Sequence, residues 1–238
     1  TVGGRSKPVF VDITGDDILD LVVSAYDGNI VLYANTGSAA NPAFTIRKKS
    51  GENPFLAIKP IEYVSAVFVD VDGDGQEDMV TGDIRVGHIQ FYRHLNTARA
   101  IIFEARDDAA NNPFMLTAGS GDREVQRSAP FIIDIDGDND GDLLVGSMDG
   151  SIRFFENVGA LPQMPRFVRR TEPETNPFFE IRDILAWENT VPFLVDLDGD
   201  QDHDLVVASS PESQFEPREL LYFENIGTSQ SEIGRAHA

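Results

Sequence analysis

One nine-residue frame, D-x-D-G-D-x-x-x-D, constrains this chain more than any other feature, because it occurs three times in full and once in weaker form. The full copies read Asp70-Val-Asp72-Gly73-Asp74-Gly-Gln76-Glu-Asp78, Asp134-Ile-Asp136-Gly137-Asp138-Asn-Asp140-Gly-Asp142 and Asp196-Leu-Asp198-Gly199-Asp200-Gln-Asp202-His-Asp204. The weaker copy runs Asp12-Ile-Thr14-Gly15-Asp16-Asp-Ile18-Leu-Asp20. First aspartates at 12, 70, 134 and 196 give steps of 58, 64 and 62 residues. A period of that size signals an array of structural units.

Each unit follows one plan. A short apolar run such as Val67-Phe68-Val69 or Phe131-Ile132-Ile133 enters the acidic loop, and a second such as Leu143-Leu144-Val145 leaves it. Short runs rich in Val, Ile and Phe around a tight turn read as a β-hairpin. An Asp-Gly turn follows at Asp27-Gly28 and Asp149-Gly150, then a third strand: NIVLYANTG, HIQFYRHLN, SIRFFENVG or ELLYFENIG. A fourth strand is marked by F-x-x-R-x-x-x-x-x-N-P-F, from Phe44, Phe103 and Phe167, with Arg47, Arg106 and Arg170 in register. The arginines are expected to bridge neighbouring acids or lie in solvent. Asn-Pro starts a turn and proline cannot donate to a ladder, so the triplet marks where the chain leaves a unit. Its phenylalanine is expected to anchor that crossover by burying its ring.

Four strands in roughly 60 residues, with no helical pattern, fit an all-β propeller of four-stranded antiparallel blades. Both faces of a blade are buried against neighbours, so its strands read as apolar runs rather than as clean alternation. The expected units are residues 1–48, 49–107, 108–171 and 172–231. The last lacks a Phe-x-x-Arg strand, so its third strand is expected to expose an edge, leaving an open arc or imperfect ring. Residues 232–238 read as a non-native tail, and the whole as part of a larger propeller.

The 238 residues include 40 acids against 19 bases, a net charge of −21, and nearly half of the acids sit in the four loops. The excess is local, and it makes nucleic acid a poor partner, since its phosphates would be repelled. There is no cysteine, which removes disulfides and thiolate–metal chemistry. No apolar run approaches the roughly 18 residues of a membrane span.

Oxygen ligands at alternating positions suit a hard cation, and six to eight of them suit calcium. Positions 1, 3, 5 and 9 of each loop offer carboxylates, the glycine at position 4 lets the backbone curl, and the position-7 carbonyl completes the shell. That leaves the side chain at position 7 free to vary, as Ile18, Gln76, Asp140 and Asp202 do. Position 12 is Val23, Thr81, Val145 or Val207, which excludes the EF-hand loop and its bidentate glutamate. Four carboxylates about 6 Å apart repel by at most about 10–20 kcal/mol at an effective dielectric near 20. Whole domains are stable by only about 5–15 kcal/mol. Up to four calcium ions are therefore expected, with the Thr14 loop the weakest site.

The loop D-x-D-G-D-x-x-x-D-L, followed by D-G and YFENxG, resembles the FG-GAP/VCBS repeats of integrin α-subunit propellers and of many secreted or surface proteins of bacteria and protists. The resemblance runs from Lys7 to about Ser231. It implies a β-propeller with calcium in the hairpin between first and second strands, an extracellular or cell-surface place, and adhesion or ligand binding. Thr14, the longer turn Asp83 to Gly87 and the insertion Ser209 to Arg218 depart from the pattern.

The function expected is a calcium-binding extracellular module for a protein or glycan partner, with calcium structural. The alternatives are an architectural spacer of a larger surface protein, or the non-catalytic part of a secreted enzyme. Trp187 is the one side chain that suggests stacking on a sugar ring. An enzyme is not expected: the carboxylates are taken by the loop frame, and His88, His94, His203 and His237 have no ligand spacing. Nor is there a Gly-x-Ser-x-Gly or phosphate-cradling loop.

Overall fold

The computed structural model describes all residues except 1–5, 26, 50, 59–64, 83–87, 98–99, 109, 117–127, 160–163, 180, 182–187, 201, 211–219, 227–235 and 238. Its strands form four antiparallel four-stranded sheets, the blades of a β-propeller. Blade 1 contains β1 (Lys7–Val11), β2 (Asp20–Ser24), β3 (Ile30–Asn35) and β4 (Phe44–Ile46). Blade 2 contains β5 (Ser65–Val69), β6 (Asp78–Gly82), β7 (Ile89–Thr97) and β8 (Ala100–Arg106). Blade 3 contains β9 (Ala129–Ile133), β10 (Asp142–Gly146), β11 (Ile152–Asn157) and β12 (Phe167–Arg170). Blade 4 contains β13 (Glu188–Val195), β14 (Asp204–Ser210), β15 (Leu220–Phe223) and β16 (Ala236–His237). Trp187 lies outside the described residues, as do the turn at 83–87 and most of the 209–218 insertion.

The repeat is kept to the residue. Val11, Val69, Ile133 and Val195, each just before its acidic loop, pair with Asp20, Asp78, Asp142 and Asp204. In the next pairing Leu32, Phe91, Phe154 and Tyr222 stand opposite Val22, Val80, Leu144 and Val206. Because side chains alternate across a strand, this shared register sends the same positions of every blade to the same side.

Those sides meet as three apolar cores, one between each pair of consecutive blades. Phe55, Phe114 and Phe178, from the Asn-Pro-Phe triplets, are buried in the three cores in turn. The preceding asparagine sets each anchor: the Oδ1 atoms of Asn53, Asn112 and Asn176 accept the N–H of Phe55, Phe114 and Phe178. Burying such a ring stabilises the crossover by about 3–5 kcal/mol relative to alanine. Gly82 and Gly146 mark where blades approach most closely. A Cβ would lie 2.0 Å from the Ser128 carbonyl oxygen at Gly82 and 2.2 Å from that of Thr190 at Gly146.

Blade 4 departs from expectation. Ala236 and His237 pair with Phe223 and Tyr222, so the third strand is not bare but capped over two residues by the segment expected to lie outside the fold. An extended pair of residues suffices for this, since it brings the N–H and C=O groups that the edge of β15 lacks. Among the described residues no core cluster joins blade 4 to blade 1, and no helix is long and apolar enough to cross a membrane.

Candidate metal loops

Each acidic loop joins the first and second strands of its blade, so all four occupy the same place in the repeat. The backbone curls because position 4 takes a left-handed conformation at Gly15, Gly73, Gly137 and Gly199, with φ of 72°, 73°, 78° and 86°. Position 6 does so again at Asp17, Gly75 and Asn139, with φ of 62°, 85° and 69°. Glycine, asparagine and aspartate tolerate that region best.

Position 1 ties the curl together. The carboxylates of Asp12, Asp70, Asp134 and Asp196 accept the N–H of Gly15, Gly73, Gly137 and Gly199 at 2.6–2.8 Å. Asp12, Asp70 and Asp134 also accept the N–H of position 6, from Asp17, Gly75 and Asn139.

Position 9 ties the loop to the blade. Asp20, Asp78, Asp142 and Asp204 are at most 1% exposed. One oxygen of each accepts a position-2 amide, from Ile13, Val71, Ile135 and Leu197. The other accepts an amide near the end of the third strand, from Asn35, His94, Asn157 and Asn225. His94 thus fills the asparagine place in blade 2. Its Nδ1 lies 3.1 Å from the Glu77 carbonyl oxygen, as the Asn35 amide lies 3.2 Å from that of Leu19.

The remaining carboxylates face one another. Position 5 accepts the position-7 amide in every loop: Asp16 from Ile18, Asp74 from Gln76, Asp138 from Asp140 and Asp200 from Asp202. Asp136 and Asp198 at position 3 accept the position-5 amide. Three trios place one oxygen per residue within 4.8 Å of one another: Asp70, Asp72 and Asp78; Asp134, Asp136 and Asp142; and Asp196, Asp198 and Asp200. Each trio can hold a metal ion. Around Thr14 no such trio forms among the described residues.

Two features escaped the sequence reading. Asp140 and Asp202 at position 7 are not merely variable: both are 7% exposed. The Oδ1 atoms of Asp140, Asp202 and Asp72 are buried without a hydrogen-bond partner. A buried carboxylate oxygen lacking a donor is costly, and a cation is the group that would satisfy an all-oxygen set of this kind. The second feature is Arg93, whose guanidinium spans Asp72 and Asp74. It stands in the register place that Glu156 and Glu224 fill in blades 3 and 4, and that alignment was the available signal.

Electrostatics bear the same stamp. Burial pushes Asp78 and Asp142 up to about 7, against the pull of their two backbone donors. Burial followed by neighbouring loop carboxylates raises Asp140 and Asp202 to about 6. Elsewhere two of the three repeated arginines pair with acids: Arg170 grips Glu156 through two bonds of 2.7 and 2.8 Å, and Arg106 meets Glu104 at 2.8 Å.

Residues 12–81 match the FG-GAP-like repeat family, a stretch that spans the first two acidic loops. No curated protein matches the chain. Among solved structures, a lectin of Agrocybe aegerita, described for specific recognition of non-reducing terminal N-acetylglucosamine, superposes with a TM-score of 0.51 at 17% identity. The likeness covers 98% of this chain and 52% of the lectin, so the chain spans about half that protein's length. At that identity the likeness speaks for the fold.

Proposed function

We propose that this chain is a calcium-stiffened binding propeller of the extracellular space or cell surface, non-catalytic, whose ligand is a glycan. The observation that carries the reading is the orphaned, buried carboxylate oxygen in three of the four loops, at Asp72, Asp140 and Asp202. These loops have the donor chemistry of calcium, in which six to eight oxygens from carboxylates and backbone carbonyls surround the ion. Carboxylates come from positions 1, 3 and 9 in loops 2 and 3 and from positions 1, 3 and 5 in loop 4, with Asp140 and Asp202 beside them in loops 3 and 4. Extracellular modules of this kind work at the calcium levels found outside cells.

Calcium in this reading is structural. It neutralises each loop and fixes a rim from which other side chains contact ligand. Support for a glycan, rather than a protein, comes from the fold likeness to a lectin.

Glycan-array binding with and without calcium, followed by titration calorimetry with N-acetylglucosamine, tests the proposal. Calcium-dependent binding to a defined class of sugars is expected. Absence of any glycan signal from calcium-loaded protein would overturn the glycan assignment.

A further inference from the structure

Arg47, Arg106 and Arg170 share one register place, and two of them find an acid within their own blade: Arg106 pairs with Glu104 and Arg170 with Glu156. Arg47 does not. In its blade Thr45 takes the register place of Glu104, and Ala34 takes that of Glu156. Among the described residues no carboxylate pairs with Arg47, which is half-buried and whose backbone carbonyl accepts the Asn53 side-chain amide at 3.1 Å. Lys48 and Lys49 follow it, making the one run of three cations in the chain.

These cations border a cleft of about 220 Å³, lined by Arg47 and Lys48, by Asp27 and Asn29 of the Asp-Gly turn, and by Leu56 of the crossover. That is smaller than the roughly 300–1,000 Å³ of drug-sized pockets and suits a single sugar ring. Among the described residues Asp27 accepts only from Asn29, at 3.2 and 2.8 Å. In blade 3 the guanidinium of Arg153 binds the equivalent Asp149 at 3.1 Å and also Ser147. Val31 stands in that place in blade 1 and leaves the turn carboxylate open. The same rim stays exposed where blades flank it on both sides, at Met115 in blade 2 and at Asp149 and Thr171 in blade 3. A blade preceding the first would therefore leave the rim residues exposed.

We propose that this cleft binds a sugar acid, a glycan residue that carries a carboxylate, with Arg47 and Lys48 on the carboxylate and Asp27 and Asn29 on ring hydroxyls. The assignment rests on the glycan reading above and narrows it. A guanidinium presents paired donors that match the two oxygens of a carboxylate, and Arg47 is the repeated arginine whose own blade supplies none. The cleft holds two cations against one anion. The net charge of −21 does not oppose the ligand, because the acidic loops lie at the other end of β2. Its five residues separate them by roughly 15 Å, beyond the Debye length of about 8 Å at physiological salt.

Calcium-loaded protein on an array of glycan pairs matched except for the carboxylate (glucuronate against glucose, galacturonate against galactose, sialylated against asialo) tests the proposal. The acidic member of at least one pair should bind about tenfold more tightly or better, the difference made by one charge-assisted pair. Arg47→Ala should erase that preference, and Arg47→Lys should keep part of it. Lys48→Ala, at an exposed side chain, should weaken the preference and serves if Arg47→Ala fails to fold. Val31→Arg, which copies Arg153, should occupy the turn and lower affinity for both members of the pair. Equal binding within every pair, or a preference that survives both Arg47→Ala and Lys48→Ala, would overturn the sugar-acid assignment while the glycan reading stands. Absence of any glycan signal would remove that reading, and this assignment with it.

Discussion

Arg93 Nε lies 2.5 Å from Asp72 Oδ2, and Arg93 Nη2 lies 3.0 Å from Asp74 Oδ2. A side-chain cation therefore already occupies positions 3 and 5 of the second loop. In the third loop the corresponding residue is Glu156, an acid already gripped by Arg170, so no side-chain cation of that place spans Asp136 and Asp138. Any metal ion entering loop 2 must displace the guanidinium or share its carboxylates.

Arg93→Ala should therefore raise calcium affinity at loop 2 by about threefold to tenfold, the worth of a partly exposed ion pair of up to roughly 1 kcal/mol or slightly more. The same change should lower the stability of the metal-free protein, which loses its internal counter-ion. Calorimetry and thermal melts of the variant, each with and without calcium, check the two halves separately.

Stability without metal should rise as pH falls. Asp78 and Asp142 titrate near 7 in the fold against an ordinary value of 3.8, chiefly through burial. The fold thus holds these protons more tightly than the unfolded chain does. Their stabilising effect is complete below about 4 and is lost as pH rises through about 7. In chelator the melting temperature should climb by at least about 4 °C from pH 8 to pH 5. In saturating calcium the trend should reverse, because the ion must expel those protons to bind. Melts across that pH range in both conditions read the sign directly.

Positions 9 and 3 should separate in their effects. Asp142 is buried and accepts two backbone amides, so Asp142→Ala should cost about 2–4 kcal/mol even in chelator. Asp136 accepts one amide within its own loop, from Asp138. Asp136→Ala should leave the metal-free melt almost unchanged and weaken calcium binding at loop 3 tenfold or more, which is about 1.4 kcal/mol. Denaturant melts in chelator, paired with calcium titration, distinguish the two.

Much of this architecture is legible in the sequence because its signals repeat. The aspartate frame, the Asn-Pro-Phe triplet and the large apolar pair of the third strand (Leu32-Tyr33, Phe91-Tyr92, Phe154-Phe155, Tyr222-Phe223) each recur in register, and each occupies equivalent places in the blades. What the sequence hides lacks either repetition or a local signature. The burial of Asp140 has no local signature, since position 7 reads as freely varying and the left-handed pair Gly137 and Asn139 recurs in loops where position 7 is less buried. The Ala236–His237 cap is two residues long, too short for any periodicity to show. Arg93 becomes visible only when blade registers are laid side by side, since an arginine on a strand is by itself unremarked.

Cations are expected to hold the loops, and a thermal melt in calcium against excess chelator tests that most directly. At calcium well above its dissociation constant the linked stabilisation is about 4 kcal/mol for a site a thousandfold saturated. Removing calcium should then lower the melting temperature by roughly 10 °C, and magnesium, smaller and slower to shed its water, should restore little of it. A melt unchanged by excess chelator would contradict the account.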